Sequence, residues 1–276
     1  MAPREALSGA TTPDPSDGGR FASDLTMLDN PTWHALATRQ ERFGCRTSRA
    51  ARFLPEVAVF GAVSDADDPR AWDELAELTG GGQLVSLTGS DPRPPVGWPV
   101  HRRVDGVQMV ADPARFVTPP GRPGERAGPA ASVDVGEHGE EGADAIVALG
   151  RADVADILEL VGVAQPGPFG PRTVELGGYV GVRRGGRLVA MAGRRLQLPG
   201  LCEISAVATH PDVRGQGLGR RVVTAVATAV VAEGDVPFLH ASASNVVAIG
   251  LYESLGFTVR KQVAFVVVEP PARRDA

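Results

Sequence analysis

The order of apolar and polar positions predicts mixed helix and strand in the first part of the chain. Residues 57–63 and 83–87 form short apolar runs typical of strands, residues 69–78 are predicted to form a helix, and residues 98–110 a longer strand. Three consecutive glycines, Gly80, Gly81 and Gly82, follow the predicted helix and mark its end. This part therefore reads as a small unit of mixed helix and strand.

The second part of the chain repeats short strands and amphipathic helices with clear turn signals. A strand at 145–149 and a helix at 152–163 precede two alternating runs, 179–183 and 188–192, which flank a Gly-Gly pair typical of a hairpin. A strand at 203–209 leads through a glycine-rich loop to a helix with an apolar stripe. A strand at 237–242, a helix ending near Leu255 and a final strand complete the pattern.

A boundary is predicted between these two parts. Residues 118–129 are rich in proline and glycine, and residues 137–141 are mainly acidic, which is typical of a solvated linker. The predicted organisation is a disordered tail at 1–24, an N-terminal α/β domain at 25–117, a linker at 118–143, a second domain at 144–269 and a short tail at 270–276.

Composition narrows the class of protein without identifying it. The chain has 276 residues, 43% of them hydrophobic and 22% charged, which is typical of a soluble globular protein. A net charge of -5 argues against a nucleic-acid partner, and no run reaches the about 20 apolar residues that a membrane span needs. The two cysteines, Cys45 and Cys202, indicate neither a disulfide framework nor a metal site. We expect a cytoplasmic protein without a metal cofactor.

The segment with the most chemical information is the glycine-rich loop between the strand at 203–209 and the next helix. Glycines at 215, 217 and 219 allow a phosphate to approach the backbone, and the N-terminus of a helix favours an anion. A Walker loop would end in Gly-Lys-Ser/Thr, whereas Arg220 and Arg221 follow Gly219 here. A dinucleotide fingerprint would need an acidic residue on the next strand, and residues 237–242 contain none. A purely structural turn is the remaining alternative.

Residues 203–257 resemble the GNAT superfamily of N-acyltransferases. The family's Arg/Gln-x-x-Gly-x-Gly/Ala loop matches Arg214 or Gln216 with Gly217 and Gly219. His210-Pro211 before the loop, Asn245 after the next strand, and the Leu-Tyr-Glu-Ser-Leu-Gly-Phe sequence at 251–257 extend the match. The resemblance covers about 125 residues, and these four pieces occur in the family's order.

The resemblance implies a fold and a donor. The fold is of the α/β class, α+β type, with a mixed, mostly antiparallel sheet that splays at an acyl-CoA site. The preceding α/β domain is smaller, and a degenerate copy of the same fold is one interpretation of it. The implied co-substrate is acetyl-CoA. Its binding residues would be Val207, Ala208, Thr209, Arg214, Gly215, Gln216, Gly217, Leu218, Gly219 and Asn245.

Three residues are candidates for proton transfer. By the resemblance, Tyr252 would protonate the departing thiolate. Glu203 shares a strand face with Ser205, Val207 and Thr209 if alternation is strict, and His240 precedes Asn245 by five residues on the neighbouring strand, so either could be the general base. Asn245 could act as a helix cap, as a CoA contact, or as both.

The predicted function is the transfer of an acetyl group from acetyl-CoA to an amine by direct attack in a ternary complex. A small-molecule acceptor is favoured over a protein because the chain is mildly acidic. The alternative is an acyl-CoA-binding regulatory module without catalysis. Neither the acceptor, nor the acyl length, nor the oligomeric state follows from the sequence.

Overall fold

The structure is a computed structural model that describes residues 24–112, 115–116 and 145–271. Apart from Asp24 and the first two residues of the C-terminal tail, the predicted tails and the predicted linker at 118–143 lie outside the described residues. Within the described ranges, no helix is long and apolar enough to cross a membrane.

The first segment contains a small sheet, two helices and two strands of a larger sheet. Its elements are α1 (Pro31–Ala37), β1 (Gly44–Arg46), β2 (Ala50–Phe53), β3 (Gly61–Val63), α2 (Pro69–Thr79), β4 (Val85–Gly89) and β5 (Val100–Ala111). Strands β1, β2 and β3 form an antiparallel sheet in that order. The Asp68 side chain caps α2 by accepting from the Arg70 amide, and Gly80 ends the helix with a φ of 76°.

The second segment supplies the remaining elements. They are β6 (Ile146–Ala148), α3 (Val154–Ala164), β7 (Val180–Arg184), β8 (Arg187–Leu198), β9 (Leu201–Thr209), α4 (Leu218–Ala232), β10 (Val236–Ser242), α5 (Val246–Ser254) and β11 (Phe257–Val268). Gly185 and Gly186, both with positive φ, form the predicted hairpin turn between β7 and β8.

One eight-stranded sheet joins the two segments. Its strand order is β4-β11-β5-β10-β9-β8-β7-β6, and every neighbouring pair is antiparallel except β9 with β10. That pair is parallel because α4 provides the crossover between the two strands. The predicted mixed, mostly antiparallel sheet is confirmed. The predicted division into two domains stays a prediction, as does the degenerate copy, and strands from both sides of the boundary share this sheet.

Both faces of the central strands are buried. On one face, the predicted stripe of α4 packs against strand residues such as Ile204 and Leu239. On the other face, the first segment covers the sheet, with Leu28, Phe53 and Phe60 packed against Leu201 and Phe238. The buried stripe of α4 consists of Val222, Val223, Val226 and Val230. Polar side chains between these layers must therefore find partners within the protein.

In the first segment, the structure differs from the sequence patterns at β3, α1, β1 and β2. Only Gly61–Val63 of the predicted strand at 57–63 is a strand, because a turn precedes it in which the Val57 amide donates to the Leu54 carbonyl. Val57 is apolar because it is buried in the core. Helix α1 and strands β1 and β2 were not predicted, since each is too short to show a clear period.

A glycine in β8 gives a direct test of the packing. A Cβ added at Gly193 would lie 2.2 Å from the ring of Tyr179, whereas one at Gly162, on the exposed side of α3, would meet nothing within 4 Å. We expect Gly193→Ala to lower the free energy of unfolding by about 1–3 kcal/mol through overpacking. Gly162→Ala should leave it unchanged or raise it by up to about 1 kcal/mol. Urea unfolding of both variants measures this; equal effects would contradict the packing described.

Candidate active site

The glycine-rich loop presents backbone amides at the start of a long helix. A short 3₁₀ turn, Pro211–Val213, follows β9, and the His210 side chain accepts a hydrogen bond from the Asp212 amide at 3.3 Å. Gly215 and Gly217 have φ angles of 78° and 79°, which L side chains rarely adopt. Helix α4 then begins, and its first turn leaves N–H groups without intrahelical partners. An anion at this point would meet those amides and the positive end of the helix dipole.

Besides Arg220 and Arg221 in the first turn of α4, the arginines Arg184 and Arg214 contact this loop or the end of β9, and only Arg214 was predicted. The Arg214 side chain is exposed, and its Nε lies 3.4 Å from the Thr209 carbonyl oxygen. Arg184, at the tip of the β7–β8 hairpin, donates to Gln216 Oε1 at 2.6 Å. The hairpin thus brings a second guanidinium to the loop. Sequence reasoning missed Arg184 because the contact joins residues 32 positions apart.

Main-chain pairing between β9 and β10 covers only part of each strand, while the predicted splay at an acyl-CoA site stays a prediction. The parallel register between β9 and β10 ends at Ile204 and Leu239. Beyond that pair, β9 continues to Thr209, while β10 continues to Ser242 paired only with β5 on its other side. We call the region between the unpaired edges of β9 and β10, beyond Ile204 and Leu239, the cleft.

A bulge in β9 corrects the predicted side-chain alternation. Ala206 has a φ of 52°, and the register with β8 gains an extra residue between Ser205 and Ala208. Val207 consequently packs on the α4 side of the sheet, the side to which Ile204 also points, and Ala208 is buried in the cluster beneath α3. The expectation that Glu203 shares a face with Val207 and Thr209 is therefore wrong. A positive φ at alanine costs about 1–2 kcal/mol, which the surrounding sheet must offset.

Helix α5 carries the predicted acid and the predicted cap. The Asn245 side chain accepts from the Ala248 amide at 3.1 Å, so the residue is an N-cap. Tyr252 lies seven positions further on, in the same core cluster as Leu239 and Val207. Burial raises the pKa of Tyr252 to about 12, so its hydroxyl is protonated at neutral pH.

The structure brings the two candidate bases together. Glu203 is completely buried, and its carboxylate accepts from Arg195 at 2.6 and 3.0 Å and from His240 Nδ1 at 2.8 Å. Burial alone would raise the pKa of Glu203, but the charge of Arg195 and the contact with His240 outweigh burial and lower it to about 2. A carboxylate with this pKa is a weak proton acceptor at neutral pH.

His240 has no free ring nitrogen. Its Nε2 lies 3.0 Å from the side-chain nitrogen of Gln108, and its side chain is 2% exposed. The rings of Phe238 and Phe265 lie edge-on to the imidazole on either side, with centroids 5.8 Å away. For either Glu203 or His240 to accept a proton from a substrate, this packed arrangement would have to open.

Sequence reasoning missed Arg195 and Gln108 because no local motif marks either residue. Arg195 reaches Glu203 from a bulge in β8, where the register skips from Arg194 to Gln197. The Gln40 side chain holds that bulge by donating to the Arg195 carbonyl at 2.7 Å and accepting from the Gln197 amide at 3.2 Å. These are contacts between segments more than 150 positions apart, which spacing along the chain cannot reveal.

Among the described residues, no group of three or more His, Cys, Asp or Glu side chains is arranged to hold a metal ion. Cys202 is buried next to Glu203 in the sequence, but on the α4 side of the sheet. Burial raises the pKa of its thiol to about 12, so it holds its proton at neutral pH.

Comparison with known proteins identifies the family. The model of the FR47-like protein family matches residues 179–266. A crystal structure of a GNAT family protein from Novosphingobium aromaticivorans DSM 12444 is 34% identical, with a TM-score of 0.71, and the match covers 89% of this chain and 99% of that one. The chain therefore belongs to the GNAT family of acetyltransferases.

Two further matches agree with that family. A GCN5-related N-acetyltransferase from Kribbella flavida shares the fold, with a TM-score of 0.53 at 16% identity over 87% of this chain and 96% of that one. The N-alpha-acetyltransferase RimI of Mycobacterium tuberculosis (strain ATCC 25618 / H37Rv) is 38% identical over 82 residues, which are 29% of this chain. The chain spans about half (51%) of the length of that curated relative.

The buried carboxylate makes a prediction about acid stability. Glu203→Gln leaves the Arg195 charge without its partner, so we expect the free energy of unfolding at pH 7 to fall by about 3–5 kcal/mol. Because the folded pKa of about 2 lies below the ordinary 4.5, this stabilisation is complete above pH 4.5 and is lost as the pH falls toward 2. The difference between the wild type and the variant should shrink over that range in denaturant titrations.

The control for that experiment is another bidentate arginine pair. Glu233 binds Arg194 with two contacts of 2.7 Å, but its side chain is 49% exposed. Glu233→Gln should therefore change stability by less than about 1 kcal/mol. Equal losses in the two variants, or a Glu203→Gln loss that stays constant down to pH 2, would contradict the assigned charge state.

Proposed function

We propose that the chain transfers the acetyl group of acetyl-CoA to an amine by direct attack in a ternary complex. The observation that carries this proposal is the parting of β9 from β10 at Ile204 and Leu239, next to a helix N-terminus with free amides. This cleft offers main-chain groups along one edge and an anion site at its end. Those are the two features that a pantetheine arm with a diphosphate needs.

Most of the predicted cofactor residues have a role compatible with their place, whereas the Ala208 side chain is buried in the cluster beneath α3. Main-chain groups of Val207 and Thr209 lie on the part of β9 that is unpaired with β10, and would bind the pantetheine amides as an added strand does. The amides of residues 216–219 would hold the diphosphate, with Arg184 and Arg214 adding positive charge. Asn245 lies at the N-terminus of α5 and would contact the cofactor while capping the helix.

The chemistry needs few side chains. Acetyl-CoA supplies a thioester whose carbonyl carbon forms a bond to the amine nitrogen while the bond to sulfur breaks. Tyr252, protonated and buried, would donate its proton to the departing sulfur, which desolvation makes more basic. Main-chain amide near the bulge at Ala206 would stabilise the developing oxyanion. The attacking amine must also lose a proton. Glu203 or His240 would accept it only if their buried contacts open; otherwise it passes to the Tyr252 phenolate and restores the phenol.

A covalent acyl-enzyme is disfavoured. A thiol acts as a nucleophile in its thiolate form, and burial keeps Cys202 protonated with a pKa of about 12. Its side chain also packs in the core under α4. The amine would therefore attack the thioester directly.

The alternative is a module that binds acyl-CoA without catalysis. One observation favours it: both candidate bases are buried and bonded to one another, so no carboxylate or imidazole among these candidates faces the cleft. Measured turnover decides between the two functions. Saturable binding of acetyl-CoA without transfer to any amine in a broad panel would support the module.

The acceptor is the least defined part of the proposal. The curated relative is named an N-alpha-acetyltransferase, so α-amino groups of short peptides belong in the first screen. The net charge of -5 still favours small cationic amines, which should be tested in parallel. A panel containing both classes, assayed by thiol release, would identify the class of acceptor.

Tyr252 provides the test of catalysis. We expect Tyr252→Phe to lower kcat by about 100-fold or more, because general acid catalysis commonly contributes that much, while acetyl-CoA binding is retained. Cys202→Ala serves as the control and should keep its activity, since the thiol takes no part. Loss of turnover in Cys202→Ala with intact CoA binding would replace direct attack by an acyl-enzyme. An unchanged kcat in Tyr252→Phe would remove the proposed acid.

Arg184 provides the test of the donor site. We expect Arg184→Gln to raise the Kd of acetyl-CoA about tenfold, or about 1.4 kcal/mol, since a guanidinium next to a diphosphate forms charge-assisted bonds. Arg187→Gln, at the other end of the same turn, removes a charge that pairs with Glu159 at 3.1 Å and should leave the Kd unchanged. Calorimetry with acetyl-CoA, and with adenosine as a non-binding control, measures both. Equal Kd values for the two variants would contradict the assignment.

A further inference from the structure

A chain of polar side chains crosses five adjacent strands of the sheet, with one residue from each strand. In sheet order the residues are Arg260 on β11, Gln108 on β5, His240 on β10, Glu203 on β9 and Arg195 on β8. Successive contacts measure 2.8, 3.0, 2.8 and 2.6 Å. We call this set the transverse ladder. It lies between the sheet and the first segment, on the face opposite α4.

The direction of each hydrogen bond in the ladder can be assigned from its neighbours. Arg260 can only donate, so Gln108 Oε1 accepts from it. The Leu28 carbonyl can only accept, so the Gln108 amide nitrogen donates to it at 2.9 Å. These two contacts fix the Gln108 amide independently of His240. The amide nitrogen therefore also donates to His240 Nε2, and the imidazole proton lies on Nδ1, directed at Glu203.

Both ends of the ladder are anchored to the first segment. Arg260 and its neighbour Lys261 donate to Asp29 Oδ1 at 3.0 and 2.9 Å. At the other end, the Arg195 guanidinium stacks on the ring of Phe60, with its central carbon 4.6 Å from the ring centroid. Arg195 thus pairs with Glu203, whereas Arg260 shares the Asp29 carboxylate with Lys261.

The ladder crosses the sheet where the cleft begins. Ile204 and Leu239 form the last pair between β9 and β10, and Glu203 and His240 are the residues adjacent to that pair. Their side chains bond to each other across the same two strands. The ladder therefore continues the connection between β9 and β10 at the point where main-chain pairing stops.

We propose that Gln108 is a positioning residue for the acetyl-CoA cleft: it holds His240 as a neutral Nδ1–H imidazole that donates to Glu203, and the completed ladder fixes the separation of β9 and β10. In this role His240 is a donor between two strands and takes no proton from the acceptor amine. The consequence for the cleft rests on the proposed function, whereas the tautomer of His240 does not.

The tautomer is measured by two-dimensional ¹⁵N NMR of histidine-labelled protein at pH 7. Among the signals of the five histidines, those of His240 are identified by their absence from a His240→Phe variant. We expect a protonated Nδ1 and an unprotonated Nε2 at His240. An Nε2–H tautomer or an imidazolium at His240 in the wild-type protein would overturn the proposal. This result requires neither substrate nor turnover.

Two substitutions at Gln108 test the ladder further. Gln108→Glu replaces the donor next to His240 Nε2 by an acceptor, so we expect His240 to become doubly protonated. Gln108→Met keeps the volume but removes the contacts, so we expect the Nδ1–H preference to be lost and the Kd of acetyl-CoA to rise several-fold. The matched control is His101→Gln, which removes an exposed histidine on β5, the strand of Gln108, that pairs with Glu269 just after β11.

The outcomes separate this proposal from the proposed function. A folded Gln108→Met protein with unchanged acetyl-CoA affinity and an unchanged His240 tautomer would overturn the positioning role. Should Gln108→Met fail to fold, the wild-type tautomer and Gln108→Glu still decide. If the protein binds acetyl-CoA but acetylates no amine, the NMR and binding results still test the ladder, while the catalytic proposal alone fails.

Discussion

The constraint on which this structure depends is a carboxylate that has no access to solvent. Glu203 lies on a central strand between two packed layers, where an unpaired charge would cost several kcal/mol. Arg195 can reach it because β8 carries an extra residue opposite it, and that bulge is held by the Gln40 side chain from the first segment. Packing, strand register and the contact between the two segments are thus linked through one ionised group. The same link explains why Gln40 is buried and Arg195 half-buried although neither resembles a core residue.

The cleft follows from two irregularities placed close together. Along the chain, the bulge in β8 comes before the last residues of β9 that pair with β10, and the bulge at Ala206 comes after those residues. The bulge in β8 directs the Arg195 guanidinium toward Glu203, and the bulge at Ala206 directs Val207 toward α4. Between them the strands part, and the chain proceeds into a loop whose glycines adopt positive φ. A regular β9 would continue its pairing with β10 and leave no slot beside the helix N-terminus.

The sequence is most informative where the cause is local. Helix α2, the Gly-Gly hairpin and the loop at 215–219 follow from spacing, caps and glycine conformations that neighbouring residues determine. Strict alternation placed Glu203 on one strand face with Val207 and Thr209, because it could not anticipate the bulge at Ala206, whose backbone conformation alanine does not favour. Gln108 was beyond reach because strand order brings its partner to it, and β5 comes from a segment that composition separates from β10. Arg195 was missed because it reaches Glu203, eight positions away, through a bulge in β8 that no local motif marks.

Strand β5 makes the first segment part of the large sheet. Its strand lies between β10 and β11, so the sheet that forms the cleft is incomplete without it. The same segment supplies Asp29 and Phe60 at the two ends of the transverse ladder. A domain that only covered the sheet could be removed or replaced with limited effect on the layer beneath it. A segment that contributes an interior strand could not be removed in this way. The first segment therefore contributes an interior strand to the sheet in which β9 and β10 separate, and under the proposed function the side chains on β5 would bear on acetyl-CoA binding through the transverse ladder.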